Sequence, residues 1–334
     1  MKKALNYDKI GEDAVKCNLC PHLCTISVNS KGVCGVRKNS GGELYSEFYG
    51  KVSALNSDPI EKKPIYHFYP GNNILSVGSI GCNFKCNFCQ NWEISQPASE
   101  NQKSLQDFSP ESIVNLALKH NSFGIAYTYN EPTVWIEYMQ DIARLSKNND
   151  LKNVVVSNGF INNKPLKELV KYIDAFNIDL KAFDTNFYKT YASARLEPVR
   201  LSLELIKDSG KHLEITNLIV PGLNDDPDTF QKMVRWISEK LGKDTVLHLS
   251  RYHPAYKLNI ENTPIQKLYE LYNIAKSKLD HVYLGNVNSD IGRDTYCSKC
   301  RNLLIRRSGY ITDICGIDDT GQCKKCKHSD IVCN

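Results

Sequence analysis

The sequence lacks the marks of a membrane or nucleic-acid protein. No stretch of its 334 residues approaches the roughly 18 apolar residues a membrane span needs, and the opening MKKALNYDKIGEDAVKCNLC has no apolar core of the kind a secretory leader carries. Basic residues never run longer than pairs such as Lys62-Lys63 or Arg306-Arg307, so the formal net charge of +5 is dispersed. These absences predict a cytoplasmic protein that meets neither membrane nor nucleic acid. Cysteine, by contrast, is plentiful. Thirteen cysteines in a reducing compartment are not expected to form disulfides, and their close-spaced grouping is that of metal sites. With 41% hydrophobic residues the chain can bury the core of one large domain with appendages, or of two ordinary ones.

Cysteine spacing divides the chain in three. Residues 1–72 hold Cys17, Cys20, Cys24 and Cys34, then an alternating stretch ELYSEFYGKVSAL that predicts a short hairpin or edge strands. Residues 73–293 hold only Cys82, Cys86 and Cys89; residues 294–334 hold Cys297, Cys300, Cys315, Cys323, Cys326 and Cys333. The middle part alternates short apolar, β-branched runs (NILSVGSI, GIAYTY, NVVVSN, AFNIDL, HLEITNLIV, TVLHLS, HVYLGN) with segments of helical period. Two of those helices open on a cap-and-proline device, Ser109-Pro110 and Thr263-Pro264. Seven strands alternating with helices predict an α/β fold with a parallel sheet, open or closed. Polar residues fall after the strands: the cysteine triplet, Asn130-Glu131-Pro132, Ser157-Asn158-Gly159, Asp179 with Lys181, Thr216-Asn217, Ser250 to His253, and Gly285-Asn286. Binding groups of a β/α barrel converge at that face.

Three thiolates at C-x3-C-x2-C suit a cubic iron-sulfur cluster with one iron left open; zinc needs a fourth ligand, and three core cysteines are the plainer alternative. An open iron accepts an amine and a carboxylate, which S-adenosylmethionine (SAM) offers. The segment GCNFKCNFCQNW, read as C-x3-C-x-Φ-C with Phe88 at Φ, resembles the signature of the radical SAM superfamily. That resemblance implies a partial (β/α)6-type TIM barrel holding a [4Fe-4S] cluster and SAM, with an electron donor such as a flavodoxin or ferredoxin. It also implies a 5'-deoxyadenosyl radical that abstracts hydrogen from a small-molecule or protein substrate.

In the family's pattern Asn130-Glu131-Pro132 resembles the "GGEP" segment, with Glu131 meeting the SAM amino group. Ser157 and Asn158 look like the pair that meets its carboxylate and ribose. Asp179 and Lys181 resemble the D-x-K element of glycyl-radical activases, a plain surface ion pair being the other reading. Thr216 and Asn217 would lie near the ribose or adenine, with Leu218 and Ile219 as apolar contacts. His253, after a strand, is a candidate general acid or base or a structural histidine. Tyr127, Tyr129 and Tyr252 are candidates for lining the pocket or relaying a radical, packing being the commoner use.

Cys17, Cys20, Cys24 and Cys34 suit a structural zinc site or a second iron-sulfur cluster, with His22 able to replace one thiolate. Cys297, Cys300, Cys323 and Cys326 form paired C-x2-C knuckles of a zinc-ribbon or rubredoxin-like module, metal open; Cys315 and Cys333 are left over. Taken together, CNLCPHLC, GVCGVR, YGKVSALNSDPIEKKPIYHFYPG, ITNLIVPGLND and the terminal ribbon resemble the radical SAM component of the AmmeMemoRadiSam system, often labelled pyruvate formate-lyase activating enzyme-like. That resemblance implies AMMECR1-like and Memo-like partners. Two rivals remain: a glycyl-radical enzyme activase, and a non-catalytic iron-sulfur electron carrier or scaffold.

Overall fold

The computed structural model describes residues 1–96 and 105–332. Its centre is one sheet of eight strands: β1 (Ala54–Pro59), β2 (Asn73–Gly78), β3 (Gly124–Tyr127), β4 (Lys152–Ser157), β5 (Ala175–Asp179), β6 (His212–Ile219), β7 (Val246–Arg251) and β8 (Val282–Gly285). Strands β2 to β8 lie side by side in chain order and all pair in parallel. They are the seven apolar runs of the sequence. Both faces of such strands are covered, which is why Asn153, Val154 and Val155 are all buried in the middle of β4. The eighth strand, β1, runs antiparallel to β2 from Ala54 opposite Gly78 to Pro59 opposite Asn73. It does not pair with β8, so the barrel is partial. Its sequence ALNSDP is too polar for a core strand, and Pro59 is tolerated because it sits at a sheet edge.

The crossovers are helical: α1 (Pro110–Lys119), α2 (Ile136–Lys147), α3 (Asn163–Leu169), α4 (Leu196–Asp208), α5 (Pro227–Trp236) and α6 (Ile265–Lys276). Ser109 caps α1 as expected, its Oγ accepting from Ser112 N at 3.2 Å. Thr263 does not cap α6. Pro264 holds that position, and the Thr263 hydroxyl instead donates to Ile219 O (2.6 Å) and accepts from Tyr252 N (3.0 Å), stitching the end of β6 to the chain after β7.

At the opposite end from the cysteines Glu214 of β6 is fully buried. It accepts from Tyr66 N, His67 N, His212 Nε2 and His248 Nε2, so one carboxylate fastens the segment before β2 beneath the barrel. Two three-stranded antiparallel sheets precede β1, one of Lys2–Lys3, Glu43–Ser46 and Arg37–Ser40, the other of Tyr7–Ile10, Ala14–Cys17 and Thr25–Ser27. Buried Arg37 ties this region to α2 through both carboxylate oxygens of Glu137, each at 3.0 Å. After β8 come β9 (Thr295–Tyr296), β10 (Leu303–Ser308) and β11 (Ile311–Ile314), a small sheet with its own core of Cys297, Leu304, Ile305, Ile317, Cys323 and Ile331. Cys333 lies outside the described residues. Among the described residues no helix is long and apolar enough to cross a membrane.

Candidate active site

The cysteine loop leaves β2 through Gly81, whose φ of 91° is one that side-chain-bearing residues rarely adopt. Phe84 and Phe88 are buried and explain the aromatics among the thiols. Phe84 packs edge-on to Phe160 at 5.3 Å, and Phe88 lies 5.8 Å from Phe187, so the loop is anchored by its rings. Its backbone is tied by Lys85 N to Ala192 O (2.9 Å) and Asn87 N to Tyr191 O (3.0 Å). Cys82, Cys86 and Cys89 border, together with both rings, a cavity of about 470 Å³ at the carboxyl ends of the parallel strands, so Phe88 lies where the sequence placed it. Burial pushes the Cys86 thiol up to about 12, against the pull of Lys181.

The polar clusters of β3 and β4 meet there as one network. Glu131 Oε1 accepts from Thr133 N (3.1 Å), Thr133 Oγ1 (2.8 Å) and Ser157 Oγ (2.7 Å), while Oε2 accepts from Asn158 N (2.9 Å). Burial raises the Glu131 pKa in spite of these donors. Asn158 Nδ2 reaches Asn83 Oδ1 at 2.8 Å and stands 3.7 Å from Cys82 Sγ, so β4 steadies the loop of β2. Asn130 does the same from β3. Its Oδ1 accepts from Ser79 N (3.0 Å) and its Nδ2 donates to Gly81 O (2.8 Å), which makes it a brace for the cysteine loop.

Asp179 and Lys181 face the cavity two residues apart, Lys181 Nζ to Asp179 Oδ2 at 3.0 Å, with the ammonium 5.9 Å from the Phe88 ring centre. Burial disfavours the Lys181 charge, but Asp179 and then Cys86 outweigh it and its pKa is raised. Thr216 and Leu218 border the cavity; Asn217, between them, does not, because alternate strand residues point to opposite faces. The Asn217 Nδ2 donates to Leu180 O at 2.7 Å instead. Nor does His253 border it. Two residues past the end of β7, its Nδ1 lies 3.1 Å from Asn262 Oδ1. Of the tyrosines, Tyr129 borders the cavity, whereas Tyr127 and Tyr252 are core residues bonded to Asn153 and Leu258 O.

Sequence reasoning missed one group. Lys63, 3% exposed, borders the cavity, donates to Asp58 Oδ2 (2.7 Å) and lies over the Tyr129 ring at 4.6 Å; Tyr129 Oη donates to the same oxygen at 2.8 Å. Its signal was the Lys62-Lys63 pair, which reads as dispersed surface charge until β1 brings Asp58 beside it.

The model of the radical SAM superfamily matches residues 77–237, the stretch that contains the cysteine loop and β3 to β6. An uncharacterized protein of Methanocaldococcus jannaschii, MJ0808, is 43% identical over 337 residues, covering 99% of this chain and 100% of that protein. The chain belongs to the radical SAM superfamily. A pyruvate formate-lyase-activating enzyme of Clostridium pasteurianum is 22% identical over 52% of this chain and 72% of its own. Among solved structures, a radical SAM methyltransferase from Sphaerobacter thermophilus shares the fold at a TM-score of 0.51 and 12% identity, over 89% of this chain and 81% of that one. SuiB of Streptococcus suis bound to S-adenosylmethionine does so at 0.51 and 14%, over 68% and 53%.

The protein is accordingly a radical SAM enzyme, whose chemistry is reductive SAM cleavage, and the cofactors of its family are a [4Fe-4S] cluster and SAM. The donor set fits such a cluster. Three cysteines border one side of an open cavity, and their sulfurs do not all lie within 4.8 Å of one another, as ligands of a single ion would. The C-terminal knuckles are of the other kind. Cys297, Cys300, Cys323 and Cys326 have all four sulfurs within 4.8 Å, with 3.6 Å between Cys297 and Cys326 and between Cys300 and Cys323. Tetrahedral bonds of ~2.3 Å place sulfurs about 3.8 Å apart, so this set is shaped for one metal ion. Cys315 is exposed and outside it.

Proposed function

We propose that Cys82, Cys86 and Cys89 hold the [4Fe-4S] cluster, that SAM lies in the cavity between it and the ends of β3 to β6, and that the enzyme abstracts hydrogen from an organic substrate. The observation that carries this reading is that the triplet, the Glu131–Ser157–Asn158 network and the Asp179–Lys181 pair border one cavity. When bound, the cluster supplies the electron that cleaves SAM to methionine and a 5'-deoxyadenosyl radical. The chain's own part is positioning. Ser157 and Asn158 are held in place by Glu131, Lys181 offers a cation to a carboxylate, Asp179 an acceptor to an ammonium, and Leu218 an apolar surface to a base.

Substrate entry is assigned to an adjoining cavity of about 390 Å³ that shares Lys62, Thr216, Ser250 and Asn286 with the first and ends against Arg307 and Tyr310 of the C-terminal module. The C-terminal sulfurs are assigned one zinc or iron ion. The resemblance to the AmmeMemoRadiSam component supports AMMECR1-like and Memo-like partners, radical SAM chemistry supports a flavodoxin or ferredoxin as donor, and the cysteine-rich composition supports action in the reducing cytoplasm. A second reading, activation of a glycyl-radical enzyme, is favoured by the Clostridium pasteurianum relative and by the D-x-K spacing of Asp179 and Lys181. Anaerobic assay of 5'-deoxyadenosine formation tests the first: wild-type protein makes it and Cys86→Ala does not. Formation by Cys86→Ala would refute the assignment, and a glycyl radical in an added partner would select the second reading.

A further inference from the structure

The chain carries two internal standards for what its cysteine sets hold. The C-terminal sulfurs converge to 3.6 Å, as ligands of a single ion do. The Cys82 set of the superfamily's cluster does not converge, since thiolates on separate irons of a cluster stand farther apart than thiolates on one ion. Cys17, Cys20, Cys24 and Cys34 follow the second pattern. No three of their sulfurs lie within 4.8 Å of one another, yet all four border one enclosed cavity together with Leu19, Ile26 and Val134.

A second observation points into the same cavity. Arg37 borders it and is only 2% exposed. Its Nη atoms are taken by Glu137 and by Leu5 O, but its Nε has no hydrogen-bond partner among the described residues. A buried N–H beside four thiols suits the sulfides and thiolates of an anionic cluster. The set is also in direct contact with the active-site loop. His22, between Cys20 and Cys24, bonds through Nε2 to Asn83 O (2.7 Å), the residue after Cys82. Cys34 O lies 2.8 Å from the point where a side chain on Gly81 would begin.

We infer that Cys17, Cys20, Cys24 and Cys34 hold a second iron-sulfur cluster rather than a zinc ion, packed against the loop of the first. The inference goes beyond the SAM reading but takes from it the Cys82 set as a cluster site, and a variant without that set separates the two. Its test is the variant Cys82→Ala/Cys86→Ala/Cys89→Ala, prepared anaerobically with iron, sulfide and zinc offered together. Acid-labile sulfide is decisive, because a single ion at the C-terminal set carries none. Expected are sulfide with an equal amount of iron beyond any single ion at the C-terminal set, and a reduced paramagnetic signal that SAM does not alter. Zinc without sulfide overturns the inference. Should that variant not fold, the wild-type sulfide content decides: more than one cubane's worth supports two clusters, and one cubane's worth overturns them. In the fully reduced wild type the contact further requires mutual broadening of two signals, which Cys17→Ser/Cys34→Ser must remove while leaving the SAM-responsive signal; an unbroadened sum of two signals in the wild type refutes the contact.

Discussion

Gly81→Ala strikes the point where the two cysteine regions touch. A Cβ there would stand 2.5 Å from Val36 Cγ1 and 2.8 Å from Cys34 O, and the second of these is backbone that cannot swing aside. The residue must also keep a φ of 91°, which costs an L-residue about 1–2 kcal/mol. Relieving the overlap by moving the loop adds about 1–3 kcal/mol, the usual range for overpacking. The expected loss is therefore about 2–5 kcal/mol. Gly222→Ala supplies the control, since Gly222 has φ of 71° but nothing within 4 Å of its would-be Cβ. It is expected to lose only the conformational part, about 1–2 kcal/mol. Urea unfolding of both variants under anaerobic conditions, with iron counted per chain, separates the two terms. Gly81→Ala is expected to unfold earlier than Gly222→Ala and to retain less iron. Equal stability of the two variants with full iron would refute the claim that the cysteine regions are in rigid contact at Gly81.

Other expectations address the rest of the site. Lys181→Ala removes a charged partner for a carboxylate, and SAM binding is expected to weaken about tenfold to a hundredfold, the worth of a charged hydrogen bond at ~1.5–3 kcal/mol; unchanged affinity by calorimetry would remove Lys181 from the site. Arg37→Met leaves the buried Glu137 carboxylate without its partner and is expected to cost about 3–5 kcal/mol in urea unfolding, whereas Arg37→Met/Glu137→Leu recovers most of it. Burial works against ionising Glu214, but the His212 and His248 donors outweigh it and hold its pKa well below 4.5. Its contribution is thus fully present above 4.5 and lost as pH falls below it, so the urea midpoint should drop on acidification more steeply in the wild type than in Glu214→Gln. Cys300→Ser is expected to lose one metal ion per chain and no sulfide, by metal and sulfide analysis.

Much of the fold was legible because parallel strands announce themselves as short apolar runs, and all seven are where NILSVGSI to HVYLGN put them. The edge strand β1 was not, since ALNSDP follows no apolar period and gains its place only by pairing with β2. The cavity residues were legible where chemistry and spacing coincide, as in Asp179 and Lys181, two apart and facing one way. Thr216, Asn217, Leu218 and Ile219 were all assigned to SAM, whereas alternation lets only one pair face inward; the structure selects Thr216 and Leu218 and turns Asn217 and Ile219 away from the cavity. Lys63 was beyond reach: Asp58 is five residues away on the edge strand, but Tyr129, which completes the group, lies 71 residues from Asp58 in the loop after β3.

The central claim is that SAM binds directly against the cluster held by Cys82, Cys86 and Cys89. Electron paramagnetic resonance of dithionite-reduced, anaerobically prepared protein with and without SAM tests it most directly. The account requires a reduced four-iron signal that changes shape on adding SAM and is absent from Cys86→Ala. A fully loaded protein whose signals ignore SAM would contradict it.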